Sequence, residues 1–106
     1  MSRYINKIEV KDPFVLTDKI AAFLQGKGFV LGQRFGEAAW TRRGVNCTQY
    51  IIINFEPAAV VITAFIAYFD MLIGEIEAGI KGFIACFGKI PLKKVVRELE
   101  KMLHET

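Results

Sequence analysis

The alternation of apolar and polar positions predicts strands over most of this chain. Residues 3–11 alternate, with Ile8 and Val10 on the face opposite Lys7 and Glu9. Period-two alternation of this kind is typical of a strand that has one solvated face. Turn residues at Gly36-Glu37, 44–46 and Glu56-Pro57 separate the strands that follow and indicate an antiparallel meander. Those strands are predicted at 29–35, 38–43, 48–55 and 58–69.

The segment 58–69 is strongly apolar and carries no charged residue. Its β-branched residues, among them Val60 and Ile62, favour a strand that is buried on both faces. A helix that crosses a membrane needs about 20 apolar residues, and Asp70 ends the segment too early. We therefore predict a strand and no membrane span, with a membrane anchor as the alternative.

Two segments show helical periodicity. Asp12 and Pro13 are typical of a helix start, with the Asp12 side chain capping the first turn, and Gly26 is typical of a helix end. A second helix is predicted to open at Pro91. Its apolar residues fall on one face and its charged residues on the other. They are Leu92, Val95, Val96, Leu99, Met102 and Leu103 on the first face, and Lys93, Lys94, Arg97, Glu98, Glu100 and Lys101 on the second.

The glycines between residues 71 and 88 weaken a helix there, so we predict a loop with one or two short strands. Taken together, the elements predict a single α+β domain over residues 1–106. We expect a curved antiparallel sheet of about five strands with two helices packed on one face, in the order β-α-β-β-β-β-α.

The composition points towards binding. Hydrophobic residues make up 53% of the chain, and its mean hydropathy is +0.33. That is more apolar surface than one small core hides, so we expect a patch that meets a partner. The prediction is a non-enzymatic binding or protein-interaction module that forms a homo-oligomer or holds a small apolar ligand. The N-terminus lacks the apolar core of a secretory signal, so we expect a cytoplasmic protein.

Four residues form the basis of an alternative function in nucleic-acid binding. They are Arg34, Trp40, Arg42 and Arg43, which lie on two neighbouring predicted strands. Phe35 is a second aromatic residue close to them. Arginine beside aromatic rings on an exposed sheet can pair with phosphates and stack on bases. The competing interpretation places Trp40 in the core, which is the commoner position for the single tryptophan of a small domain.

A lysine cluster marks the start of the last helix. The cluster consists of Lys89, Lys93 and Lys94. It lies at the positive end of the helix dipole, where positive side chains are electrostatically unfavourable, and such an unfavourable arrangement can mark a functional site. Helix amides and ammonium groups together would attract a phosphate or a carboxylate. The alternative is a solvated lysine-rich edge, paired with Glu75 or Glu77.

No motif predicts catalysis, a metal or a cofactor. Two cysteines and one histidine are too few for a structural zinc site. Cys47 and His104 would make a nucleophile and base only in a held geometry, which a histidine near the C-terminus does not favour. We therefore expect no enzymatic activity and no cofactor.

The last third of the chain resembles the tail of short uncharacterised bacterial domains, in which an E…KGF…K…LK pattern precedes a final amphipathic helix. The matching residues are Gly74-Glu75, Lys81-Gly82-Phe83, Lys89 and Leu92-Lys93-Lys94-Val95-Val96. The resemblance implies an α+β domain that is sometimes appended to larger proteins. It implies no activity and no functional residue.

Overall fold

Strands and helices follow one another in the order β-α-β-β-β-β-β-α in a computed structural model, which describes residues 3–44, 47–72, 74–78 and 89–105. The helices are α1 (Thr17–Gly26), which follows a 3₁₀ turn at Pro13–Leu16, and α2 (Lys89–His104). This arrangement confirms the predicted α+β class and antiparallel sheet. The strands are β1 (Tyr4–Glu9), β2 (Val30–Arg34), β3 (Glu37–Gly44), β4 (Cys47–Glu56), β5 (Ala59–Asp70) and β6 (Gly74–Ala78).

The sheet is organised around β5. The strand order is β1-β5-β4-β3-β2, and every neighbouring pair is antiparallel. β4 occupies one edge of β5, while the other edge pairs with β1 over its first half and with β6 over its second half. Two strands therefore share that second edge end to end. The predicted strand at 58–69 is confirmed as β5.

Both helices cover one face of the sheet and form the main core with it. Ile20 and Leu24 of α1 and Leu99 of α2 are buried against Ile62 and Ile66 of β5. These helical residues recur at the spacing of one helix face, so each helix buries a single stripe. The predicted packing of two helices on one face therefore agrees with the structure.

Polar side chains of β1 fix α2 on this face. The hydroxyl of Tyr4 donates a hydrogen bond to the carboxylate of Glu100, and Asn6 Nδ2 donates to the same oxygen at 2.6 Å. Burial, together with the bond to Glu100, raises the pKa of Tyr4 to about 12. The tyrosine is thus a hydrogen-bond donor throughout the physiological pH range.

The opposite face of the sheet carries a smaller apolar cluster. Ala39, Ile52 and Phe65 are buried there, and Tyr50 packs against them. In the described residues, β3 pairs with β4 only from Trp40 to Gly44, so the tip of the β2–β3 hairpin is released from β4. Ala39 and the Arg34 guanidinium, on the two strands beside the tip, pack on this outer face near Phe65.

The hairpin tip has an unusual backbone. Phe35 and Gly36 both have positive φ, at 50° and 82°, as a two-residue type I′ turn requires. The turn therefore lies at Phe35-Gly36, and the predicted turn at Gly36-Glu37 was wrong by one residue, because Glu37 pairs with Arg34 as the closing pair. A non-glycine residue of this size is rarely found in the left-handed region.

The ends of the helices differ in part from the prediction. Asp12 makes no side-chain cap, because the first turn is 3₁₀ and starts at Pro13. α1 ends at Gly26 as predicted, and α2 begins at Lys89, two residues before Pro91. Proline is tolerated there because the first amides of a helix have no partner within it.

The prediction for residues 71–88 can be compared only in part. A short strand is confirmed by β6 at Gly74–Ala78, while residues 73 and 79–88 lie outside the described residues. None of the described helices combines the length and the apolar character that crossing a bilayer requires.

Packing of α2 on the sheet makes a testable prediction. Leu99 is fully buried and Lys101 is exposed on the same helix. We expect Leu99→Ala to lower the free energy of unfolding by about 2–5 kcal/mol, because it removes buried methyl groups and leaves a cavity. Urea unfolding measures the change. Lys101→Ala is the control, with an expected change within about 0.5 kcal/mol, and equal effects of the two variants would contradict this packing.

Candidate functional site

An apolar cleft of about 370 Å³ lies between α1 and the sheet. One wall is a face of the helix, and the other consists of side chains from β2, β3 and β4. The lining residues are Thr17, Ile20, Ala21 and Gln25 from α1 and Leu31, Trp40, Ile53 and Phe55 from the sheet.

The cleft exists because a small residue faces large ones. Thr17, Ala21 and Gln25 are spaced four residues apart and therefore lie on one face of α1. On the sheet, Leu31 lies directly opposite Trp40 in the pairing of β2 with β3. The methyl group of Ala21 is too short to fill the space in front of these side chains, so room remains beneath the helix.

The cleft has a closed end and an open end. Ile20 is only 2% exposed at the closed end, whereas Leu31 is 56% exposed at the open end. Phe55 is held from outside by the ring of Phe14, which stacks on it with a centroid distance of 5.9 Å. A small molecule could therefore enter past Leu31 without displacing the core.

The described residues of the lining offer little polarity and no charge. Its polar side chains are Thr17 and Gln25, and the Thr17 hydroxyl donates a hydrogen bond to the carbonyl oxygen of Phe14 at 2.9 Å. A charged ligand would lose its hydration here without gaining an ion pair. The cleft is therefore suited to an uncharged apolar molecule.

Arg42 links the end of α1 to the sheet beside the cleft. Its Nε donates to Gln49 Oε1 at 2.7 Å, its Nη1 donates to the carbonyl of Lys27 at 2.8 Å, and the guanidinium lies 4.6 Å from the ring of Phe29. Burial lowers the pKa of Arg42. Since Lys27 caps the C-terminus of α1, these bonds help to hold the helix above the cleft.

Arg34 lies on the opposite, outer face of the sheet and is engaged there. Its Nη2 contacts Glu75 at 2.7 Å and Glu77 at 3.1 Å, and its guanidinium lies 4.7 Å from the ring of Tyr50. Burial by itself lowers the pKa of Arg34. The hydrogen bonds to the carboxylates of Glu75 and Glu77 outweigh that effect, so the pKa of Arg34 is raised. Only 8% of the side chain is exposed.

Glu77 is bound by two arginines on this outer face. Arg3 donates to both of its carboxylate oxygens at 3.0 Å, and Arg34 donates to Oε2 from a second side. The hydrogen bonds from Arg3, with those from Arg34, outweigh burial and lower the pKa of Glu77. The bidentate ion pair between Arg3 and Glu77 fixes the relative orientation of the two side chains in addition to pairing their charges. Glu77 therefore joins β6 to β1 and to the hairpin tip.

The four residues predicted to contact nucleic acid thus divide between two faces. Trp40 is half-buried and faces the helices, and Arg42 lies on the same face. Arg34 lies on the outer face, and Arg43, the next residue after Arg42, is exposed and points away from the helices. The structure brings Arg34 to Glu75 and Glu77, and it does not bring the four residues together.

The lysine cluster lies in the first turns of α2. Lys94 is exposed and Lys93 is half-buried, while the side chain of Lys89 lies outside the described part. The acidic residues proposed as partners for these lysines are bound elsewhere, because Glu75 contacts Arg34 and Glu77 contacts both Arg3 and Arg34. Anion binding by Lys89, Lys93 and Lys94 stays a prediction.

The residues considered for metal binding and for Cys–His chemistry lie apart in the part of the chain that the structure describes. Within those ranges no three His, Cys, Asp or Glu side chains are grouped as a metal site would need. Cys47 is buried at the start of β4, whereas His104 is exposed in the last turn of α2. Comparison with protein-family models, with curated proteins and with solved structures finds no match.

The sequence analysis named a small apolar ligand as one possibility but did not locate the cleft or its lining residues, although part of the signal was present. Thr17, Ala21 and Gln25 interrupt the apolar stripe of α1 with small or polar residues at helical spacing. That pattern indicates a helix face that does not pack tightly. Which strand residues would face it depends on the sheet topology and could not be obtained from periodicity.

The cluster around Glu77 predicts a pH-dependent contribution to stability. Because the folded-state pKa of Glu77 is lowered, its carboxylate stabilises the fold above its ordinary pKa of 4.5 and loses that effect as the pH falls through the folded value. We expect Glu77→Gln to be destabilising at pH 7 and to approach the wild-type free energy of unfolding in acid. Denaturant unfolding across this pH range measures the difference.

The background variant Arg3→Met is the control for this titration. It removes the main partner of Glu77, so the effect of Glu77→Gln should be smaller in it and should change less with pH. An unchanged pH dependence in that background would show that Arg3 is not the source of the lowered pKa.

Proposed function

We propose that this domain is a non-enzymatic binding module that holds a small, uncharged apolar molecule in the cleft beneath α1. The observation that carries the proposal is the cleft itself, with a volume of about 370 Å³. Small-molecule sites are typically concave, mostly apolar and about 300–1,000 Å³ in volume. The cleft lies at the small end of that range.

The walls define the class of ligand. Ile20, Ile53 and Phe55 present only carbon, and Trp40 offers an aromatic ring. Gln25 is exposed at the surface end of the helix face, where its amide could bind one hydroxyl or carbonyl oxygen of a ligand. A short aliphatic or monocyclic molecule with no charge and at most one polar group satisfies these walls.

The remaining exposed apolar surface supports a binding role. Leu31 lies at the mouth of the cleft, and Phe14 lies on Phe55 behind it, so a ligand that enters the cleft would cover part of this surface. Covering apolar surface contributes roughly 25 cal/mol per Å². The large apolar side chains exposed in the described residues are Ile5, Phe14, Val15, Val30, Leu31, Phe35, Phe69, Met71 and Leu72.

The alternative predicted from the sequence, binding of nucleic acid or an anion, has weaker support. Arg34 and Arg42 would have to leave the carboxylates, amide and carbonyl that they contact now. Trp40 would have to leave the helix-facing side before a base could stack on it. We therefore place apolar-ligand binding first.

Trp40 makes the cleft measurable, because it is the single tryptophan of the chain and lies in the wall. We expect 1-bromooctane to quench its fluorescence in a saturable way, since the bromine atom quenches on contact and the alkyl chain can enter the cleft. Filling the cleft with Ala21→Phe should weaken the apparent affinity at least tenfold.

Ala22→Phe is the matched control. Ala22 is exposed and adjacent to Ala21 on the same helix, so both variants change helix propensity equally but only one fills the cleft. The control should retain wild-type quenching. Equal and non-saturable quenching of all three proteins would contradict binding in the cleft, and native mass spectrometry of the purified chain would reveal any ligand that is already retained.

A further inference from the structure

Among the residues that the structure describes, no strand or helix protects the outer edge of β2. It is the last strand in the order β1-β5-β4-β3-β2, and Val30 and Leu31 are 70% and 56% exposed. Natural edge strands usually carry lysine, proline or a bulge that discourages pairing with another chain. β1 carries exposed Lys7 and Glu9, whereas β2 has no charge before Arg34.

Some backbone N–H and C=O groups of β2 do not pair with β3. The pair Arg34–Glu37 closes the two-residue turn and is hydrogen-bonded, so Gly32–Ala39 is the next hydrogen-bonded pair along the ladder. The residues between them alternate in direction. Leu31 and Gln33 therefore point their N–H and C=O groups away from β3, towards the open edge.

We propose that β2 pairs antiparallel with β2 of a second copy of this chain, about a two-fold axis that passes through Gly32. In this register Leu31 lies opposite Gln33 of the partner subunit, and Gln33 lies opposite the partner's Leu31. Both residues point their backbone groups towards the edge, so the two copies form four backbone hydrogen bonds. The sheet would then continue from one chain into the other.

The ends of the open edge fix this register. Before Val30, the N–H of Phe29 already donates to the carbonyl of Leu24 at 2.9 Å, so the end of α1 occupies the edge there. After Arg34, the chain turns at Phe35. The part of β2 that can pair along its outer edge is therefore residues 30–34. A symmetric pairing of these five residues with the same residues of a second copy is centred on Gly32.

Charge and shape favour a second copy as the occupant. Arg34 lies at the end of this part of β2, opposite the partner's Val30, and its guanidinium is directed onto the outer face towards Glu75 and Glu77. Like charges do not meet across the two-fold axis. Gly32 at the centre has no side chain, so the two backbones can approach closely.

The pairing would also reach the cleft described above. Leu31 lies at its open end, so Gln33 of the partner subunit would lie beside the cleft mouth. Two five-residue edges bury less surface than the roughly 1,200 Å² of a stable interface, so the dimer should be weak and concentration-dependent. The inference is independent of whether the cleft binds a ligand.

Sedimentation velocity over a concentration series up to about 1 mM tests the proposal, because an interface of this size belongs to the weak class. We expect the wild type to move from monomer to dimer. Gln33→Pro should remain monomeric, since it removes an N–H that points to the open edge and leaves the pairing with β3 intact. Gln33→Ala keeps that N–H and should dimerise like the wild type, while circular dichroism checks that both variants fold.

Oxidation of single cysteine variants tests the register. A Cβ at Gly32 would meet only Thr41 Oγ1 at 4.0 Å, so the Gly32→Cys variant can be accommodated. The introduced cysteines of the two subunits lie opposite each other at the two-fold axis and should form an intersubunit disulfide. Val30→Cys, on the same face but far from the axis, should not cross-link through that residue, as peptide mapping would show. A wild type that stays monomeric throughout, or a dimer unaffected by Gln33→Pro, would overturn the proposal.

Discussion

The need to bury β5 on both faces is the constraint on which the rest of this structure depends. Twelve residues of this strand are in sheet pairing, and those from Ile62 to Ala67 are all buried. Side chains of a strand alternate between faces, so each face of the sheet needs its own cover. The helices cover one side of β5, and on the other side Tyr50, Arg3 and the Arg34 side chain beside the tip of the β2–β3 hairpin lie against Phe65.

Polar contacts of Arg34 hold the end of this hairpin on the outer face. Arg34 reaches from β2 to Glu75 and Glu77 on β6, across the rings of Tyr50 and Phe65. On the other face, Arg42 holds the end of α1 against the sheet. Two arginines that look equivalent in sequence therefore fix opposite layers of the domain, and neither is a simple surface charge.

Much of the fold followed from local patterns, because strand alternation and the helical stripe of α2 are properties of neighbouring residues. The features that did not follow depend on partners distant in sequence. Arg34 meets Glu77 through the topology of the sheet, and the burial of Trp40 depends on which face the helices choose. The cleft requires Ala21 to stand before Trp40, which no single segment of the chain encodes.

The pairing of β1 with β5 has a consequence for how the chain acquires its structure. β1 and α1 are synthesised before β2–β5, but Tyr4 can pair with Ala64 only after β5 has been synthesised. Contacts between such distant residues form slowly, because the intervening loop must be closed first. Until then the apolar stripe of α1 has no sheet to cover and is exposed to other nascent chains. β1 is therefore synthesised well before the strand with which it pairs, and it is among the last elements to be fixed in the sheet.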